Sequence, residues 1–120
     1  MDLSAVREHC LSKPGATEDF PFGPEVLVFR VCGKLFCLMN PDERPPRINL
    51  KCRPDEVEAL RDRYAAVLPG YHMNKRHWNT VLLDGDAPSD RVREWIDDSY
   101  ALVVAGLTKR QREPLAAGEA

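Results

Sequence analysis

The spacing of apolar residues predicts short helices separated by short strands. Val6 and Cys10 recur at helical spacing near the N-terminus, and Asp2 stands where its side chain can cap the first turn. The same spacing predicts a helix that opens at Pro54 and another over residues 88–106. Proline suits the first turn because the N–H that it lacks has no partner there.

Between these helices the pattern is typical of β-strands. A tight turn at Cys32-Gly33 would join the first two strands into a hairpin, because glycine readily adopts the positive φ that such turns require. A second hairpin is predicted with Lys75 and Arg76 at its turn. The predicted strands cover residues 26–31, 34–40, 47–53, 71–74 and 77–83.

The segment 47–53 alternates most clearly between apolar and polar side chains. Because successive side chains of a strand point to opposite faces, one face is apolar and the other is basic. The predicted core face consists of Ile48, Leu50 and Cys52, and the predicted solvent face of Arg47, Asn49, Lys51 and Arg53.

The element order α-β-β-β-α-β-β-α predicts a two-layer α+β fold. Short connections favour a five-stranded antiparallel sheet with three helices on one face. A chain of 120 residues has the size of one domain. We therefore expect a single domain over residues 1–107 and a polar, disordered tail over residues 108–120.

Composition excludes several classes of protein. With 17 basic and 19 acidic residues the net charge is −2, which favours no partner class. No apolar run approaches the 18 or more residues of a membrane span, so we expect no membrane association. The first residues lack the basic and apolar regions of a signal peptide, which favours the cytoplasm.

The four cysteines, Cys10, Cys32, Cys37 and Cys52, lie within apolar patterns. They form no Cys-x-x-Cys pair and no spacing typical of a zinc module. We expect four buried apolar side chains, with no disulfide, metal or other cofactor. Phosphate-binding loops, nucleophile elbows and zinc-protease motifs are also missing from the sequence, so no enzyme is predicted.

The run from Pro69 to Val81, PGYHMNKRHWNTV, resembles the signature of the MmcQ/YjbR family of small bacterial proteins. Shorter segments agree with that family in the same order, at residues 13–18, 29–34, 49–52 and 99–103. The resemblance implies a fold similar to CyaY and frataxin. It also implies DNA binding through an arrangement called a double wing. Frataxins that bind iron use an acidic ridge near the first helix, whereas the acidic residues here are scattered.

Basic, amide and aromatic side chains are concentrated in the second hairpin and the basic strand. Lysine and arginine neutralise phosphates, asparagine can bind phosphate or an adenine edge, and tryptophan can stack on a base. The candidate nucleic-acid-binding residues are Arg47, Lys51, Arg53, His72, Asn74, Lys75, Arg76, His77 and Trp78.

Two alternatives stay open at this point. Lys75 and Arg76 could form an ordinary solvated turn, Trp78 could be a packing anchor, and the basic strand could be an edge protected by its charges. The leading hypothesis is a DNA-binding protein with duplex DNA as its partner. The alternative is a non-enzymatic domain that binds a protein or a small ligand, its partner being unknown.

Overall fold

The computed structural model describes residues 1–70 and 73–116, which fold as two layers. The helices and strands are, in chain order, α1 (Leu3–Leu11), β1 (Ala16–Asp19), β2 (Leu27–Val31), β3 (Lys34–Met39), β4 (Arg47–Lys51), α2 (Pro54–Arg63), β5 (Val67–Pro69), β6 (Trp78–Leu82), α3 (Ser89–Ala105) and α4 (Lys109–Ala116).

The strands form one antiparallel sheet in the order β1-β2-β3-β4-β6-β5. Alternate residues of each strand face the helices and make the core, where Phe29, Ile48 and Val81 pack against Val6 of α1 and Ile96 of α3. The opposite side of the sheet, here called the open face, carries the remaining strand residues. The predicted α+β class, antiparallel sheet and single-sided core are confirmed.

The first hairpin turns at Cys32 and Gly33, as predicted. Both residues have positive φ, 49° for Cys32 and 77° for Gly33. The register of β2 and β3 shifts between Phe29 and Arg30, so that β3 contributes an extra core residue, Phe36. This bulge leaves the carbonyl of Phe36 free to accept a hydrogen bond from a helix.

The predicted faces of β4 are confirmed within Arg47–Lys51, but Cys52, predicted on the core face, is only half-buried beyond the strand. Ile48 and Leu50 are buried in the core, whereas Arg47, Asn49 and Lys51 are half-buried on the open face. The strand itself ends at Lys51, two residues earlier than predicted, because Pro54 opens α2 and the preceding residue caps it with extended backbone.

In the described part of the chain the sheet has six strands rather than the five predicted. The additional strand β1 pairs with β2 at the edge of the sheet. Its side chains are mostly polar, and its carboxylates are held by arginines: Glu18 by Arg7 and Asp19 by Arg30. Apolar alternation therefore did not reveal this strand, since ion pairs and backbone bonds stabilise it.

The predicted strand over residues 71–74 is wrong where it can be compared with the structure. Met73 lies in a bend and Asn74 has no regular secondary structure, and Tyr71 and His72 lie outside the described residues. The partner of β6 is instead β5, Val67–Pro69. Pro69 lies on the last position of this edge strand, where a missing N–H is tolerated.

The described residues also form four helices rather than the three predicted. Part of the tail expected to be disordered, Lys109–Ala116, forms α4. Thr108 caps it, because the Gln111 N–H donates to the Thr108 hydroxyl while the Gln111 side chain accepts from the Thr108 N–H. Leu115 is buried against the core, which gives this polar helix an anchor. Residues 117–120 lie outside the described part.

The cysteines are all free thiols, but only Cys10 and Cys37 are buried as predicted. Cys32 is exposed because it occupies the turn, and Cys52 is half-buried after the end of β4. Within residues 1–70 and 73–116, no helix is long and apolar enough to cross a bilayer.

Candidate nucleic-acid interface

The pairing of β4 with β6 brings the basic strand beside the second hairpin. In register, Lys51 is opposite Trp78 and Asn49 is opposite Thr80. All four side chains belong to the open face, where the Thr80 hydroxyl donates to the Asn49 side-chain oxygen at 2.6 Å. Two segments that the sequence predicts separately therefore form one surface.

The residues Asn74, Lys75, Arg76 and His77, here called the basic turn, connect the chain to β6. Asn74 organises this turn: its side-chain oxygen accepts from the Arg76 N–H at 3.0 Å, and its carbonyl accepts from the N–H groups of His77 and Trp78. This is an asparagine-centred turn of the kind in which the side chain mimics a backbone acceptor. Asn74 therefore has a structural role, which the sequence left open.

Arg61, on α2, holds the basic turn from the helix side. Its Nη2 donates to the carbonyls of Lys75 and Trp78, the latter at 3.2 Å, and its Nε donates to the side-chain oxygen of Asn79 at 2.7 Å. The planar guanidinium suits this task because its donors leave in fixed directions. The N–H of Cys52 adds a further bond at 2.6 Å to the His77 carbonyl.

Gly70 and Trp78 meet at the base of the same hairpin. The Gly70 N–H donates to the Trp78 carbonyl at 3.1 Å. A Cβ at Gly70 would lie 2.8 Å from the Cβ of Trp78, which is closer than two side chains can approach. Trp78 is half-buried, so it acts in part as the packing anchor that the alternative interpretation expected.

The candidate cations differ in how far they are engaged. Arg47 donates to the Pro45 carbonyl at 3.2 Å and lies 3.6 Å from a Glu43 carboxylate oxygen, and Arg53 pairs with Asp55 at 3.1 Å. Within the described part of the chain, the side chains of Lys75 and Arg76 are exposed and form no ion pair. Positive charge is therefore most available at the basic turn.

The rest of the open face is less basic than the sequence suggested. A groove there is lined by apolar side chains such as Met73 and Phe22, of which Phe22 is 72% exposed. Asp42 and Glu43 also line it. These carboxylates offset the positive charge of Arg47, which lines the same groove. His72 lies outside the described residues.

Sequence reasoning missed the contribution of Arg61. Helix α2 carries several charged residues, and nothing in their spacing distinguishes the arginine that turns inward from those that stay in solvent. Only the packing of α2 beside β6 and the basic turn places three acceptors within reach of the Arg61 guanidinium. In the residues described, no group of three or more potential ligand side chains could hold a metal ion.

Fold and surface together define a small two-layer α+β domain with a cation-bearing turn beside the edge strand of its sheet. The YjbR family model matches residues 11–102, and the chain belongs to this family. The resemblance seen in the sequence is thereby confirmed.

Relatives extend over nearly the whole chain. Uncharacterized protein YbdF of Escherichia coli O157:H7 is 40% identical over 99 residues, covering 82% of this chain and 81% of its own. Uncharacterized protein YjbR of Escherichia coli K12 is 33% identical over 115 residues, covering 96% of this chain and 98% of its own.

Solved structures agree with the fold. The crystal structure of a Deinococcus radiodurans protein described as a DUF419 domain matches with a TM-score of 0.88 and 38% identity, covering 96% of this chain and 88% of that one. A Pseudomonas syringae protein matches with a TM-score of 0.75 and 32% identity, covering 85% of this chain and 98% of that one.

Proposed function

We propose that this protein binds duplex DNA, with the basic turn at the phosphate backbone or in a groove and Lys51 beside it. The observation that carries the proposal is the exposure of Lys75 and Arg76, unpaired within the described residues, on a turn held by Arg61. Protein surfaces that bind DNA draw most of their affinity from such phosphate contacts. A two-stranded ribbon also has the dimensions to enter a major groove.

The construction of the basic turn favours recognition by a preformed surface. Several of its backbone carbonyls and N–H groups are bonded to Arg61, Asn74 and Cys52, so part of the main-chain freedom is already lost before binding. The lysine and arginine side chains are left to reach phosphates. The net charge of −2 argues that binding, if confined to this patch, is salt-sensitive and modest in strength.

A salt series tests the proposal. Fluorescence anisotropy with a labelled 20-base-pair duplex should give a dissociation constant that rises steeply as salt increases. The double variant Lys75→Glu/Arg76→Glu should bind at least tenfold more weakly. The slope of the logarithm of the association constant against the logarithm of salt concentration should become shallower by about one unit for each phosphate that the variant no longer neutralises. Thermal unfolding should be nearly unchanged, because both side chains are exposed.

The matched control is Arg93→Glu/Arg110→Glu, which makes the same charge change on exposed residues of α3 and α4. It should leave the salt slope as it is in the wild type. Equal weakening by both double variants would mean that only overall charge matters and that the basic turn does not touch the DNA. If the wild-type protein fails to bind duplex at low salt, DNA is not its ligand.

A further inference from the structure

The helix-covered side of the sheet contains a cavity with a volume of about 280 Å³. It lies between α2, α3, β4 and β6, on the opposite side of the sheet from the open face. Small side chains on α3 leave this space, since Ala101 and Ala105 stand one turn apart at its exposed edge. The apolar part of the wall includes Leu50, Leu60, Val67, Val81, Trp95 and Leu102.

Two carboxylates stand at the mouth of this cavity, one on each helix. Glu56 is in the first turn of α2, one turn before Leu60. Asp98 is on α3, one turn before Leu102. Both acidic residues are exposed, and within the described part of the chain neither forms an ion pair. Negative charge is therefore available where the apolar wall meets solvent.

The cations near the cavity are engaged elsewhere. Lys51 also contributes to the lining, but the alternation along β4 directs its side chain to the open face. Arg53, another lining residue, is paired with Asp55 at 3.1 Å. The Arg61 guanidinium donates to Asn79 and to two carbonyls of the second hairpin. The charge left to meet a ligand at the mouth is therefore negative.

The acidic groups act on each other and on the wall of the cavity. Partial burial and then three neighbouring carboxylates, of which Glu56 acts most strongly, raise the pKa of Asp98. Burial, followed by the charges of Glu56 and Asp98, raises the pKa of Cys52 to about 11. Both groups thus lie in a negative field, which a bound cation would relieve.

We propose that this cavity binds a hydrophobic primary amine, with its apolar body inside and its ammonium at Glu56 and Asp98. Sites for small molecules have this composition, an apolar wall with a few placed polar groups. A cavity of about 150 Å³ accommodates benzene, so a volume near 280 Å³ suits a molecule of about eleven non-hydrogen atoms. The amide of Asn79 takes no part, because its Nδ2, which has no acceptor among the described residues, is buried beyond the reach of a ligand.

The test compares three phenylalkyl compounds with the same number of non-hydrogen atoms: 4-phenylbutan-1-amine, 4-phenylbutan-1-ol and 3-phenylpropanoate. In ¹H–¹⁵N spectra near neutral pH, the amine should give a saturable shift of the Trp95 indole, which lines the cavity, but not of the Trp78 indole on the open face. The amine should bind about fivefold more tightly than the alcohol, as expected for two exposed ion pairs. The carboxylate should bind more weakly than the alcohol, because it meets like charge.

Separate variants test the charge and the space. Glu56→Gln/Asp98→Asn removes both carboxylates at nearly constant shape and should abolish the preference for the amine. The matched control, Glu58→Gln/Asp62→Asn, makes the same charge change on exposed residues of α2 outside the lining and should keep that preference. Ala101→Phe fills the cavity from its exposed rim and should prevent binding of all three compounds.

The proposal is overturned by any of three results. The amine could produce no saturable shift of the Trp95 indole up to its solubility limit. The Glu56→Gln/Asp98→Asn variant could retain the full preference for the amine, which would place the ammonium elsewhere. Equal binding by the Ala101→Phe variant and the wild type would show that the compounds lie outside the cavity. Each result is independent of DNA binding, because no nucleic acid is present in the measurement.

Discussion

The two faces of the β4–β6 pair differ although both are formed by alternate residues of the same two five-residue strands. On the open face, Lys51 and Trp78 lie side by side near an exposed basic turn. On the helix side, Leu50 and Asn79 occupy the neighbouring positions and line an apolar cavity. Alternate residues of the two strands thus place charged side chains on the open face and the amide of Asn79 among apolar side chains on the helix side.

The difference teaches how closely the two faces depend on each other. Arg61 reaches the backbone of the basic turn and the side chain of Asn79 with one guanidinium. On α3, the Ser99 hydroxyl donates to the Phe36 carbonyl and accepts from the Lys51 N–H at 2.9 Å. Groups on the helix side therefore hold residues of the open face in position. Substitutions that remove these groups test how far the two faces depend on each other.

The largest effect is expected from Arg61→Ala. Three acceptors lose their charged donor, so the free energy of unfolding should fall by about 3 kcal/mol, at the upper end of the range for one hydrogen bond to a charged group because the three bonds are exposed or only partly buried. Urea denaturation measures it. Arg93→Ala, an exposed arginine without an ion pair among the described residues, should cost less than about 0.5 kcal/mol. Equal losses in the two variants would mean that Arg61 does not hold the turn.

Ser99→Ala comes next. Ser99 is fully buried, and its removal leaves the Phe36 carbonyl and the Lys51 N–H without their partner at the point where β3 and β4 separate. Stability should fall by about 1–2 kcal/mol. Hydrogen exchange at the Lys51 amide should also accelerate, and an unchanged Lys51 exchange rate would contradict the link between the faces.

The four cysteines should be alkylated at different rates, because their thiols differ in exposure. Iodoacetamide at pH 8 should modify exposed Cys32 first. Cys52, which lines the cavity, should react much more slowly because a pKa of about 11 leaves only about a thousandth of it as thiolate. Cys10 and Cys37 should react only on unfolding, since both are buried. Mass spectrometry of timed samples checks the order, which early modification of Cys37 would contradict.

The smallest effect concerns the charge at the cavity rim. Because the folded-state pKa of Asp98 is raised, ionisation of this carboxyl lowers stability as the pH rises from the ordinary value near 4 through the raised one. Asp98→Asn should therefore be more stable than the wild type at pH 7, by less than about 0.5 kcal/mol because the side chain is largely exposed. Below pH 4 the difference should vanish, and a variant that is less stable at pH 7 would contradict this account.

Much of the fold follows from local pattern, and the exceptions have physical reasons. The alternation at Ile48 and Leu50 predicts the faces of β4, and Gly33 predicts the first turn, because both depend on neighbouring residues alone. Strand β1 depends on ion pairs with Arg7 and Arg30, and α4 depends on the burial of Leu115. Contacts between distant residues decide both elements, so local periodicity did not reveal them.

The candidate site, like the fold, could be predicted from the sequence only in part. The sequence predicts that Lys75 and Arg76 occupy a turn, and the structure agrees. It does not predict that Arg61 supports that turn, nor that Asn79 keeps an unpartnered donor, because both facts arise from the packing of α2 against β5 and β6. The engagement of Arg47 and Arg53 with carboxylates likewise appears only in three dimensions.

A chemical-shift map with duplex DNA tests the division of the two faces most directly. Titration of the ¹⁵N-labelled protein with a 20-base-pair duplex at low salt should perturb the backbone amides of the basic turn and of Lys51. Residues of the cavity rim, such as Ala101, should stay unchanged. Shifts centred on α3, or no localised shifts at all, would contradict the assignment of DNA binding to the basic turn.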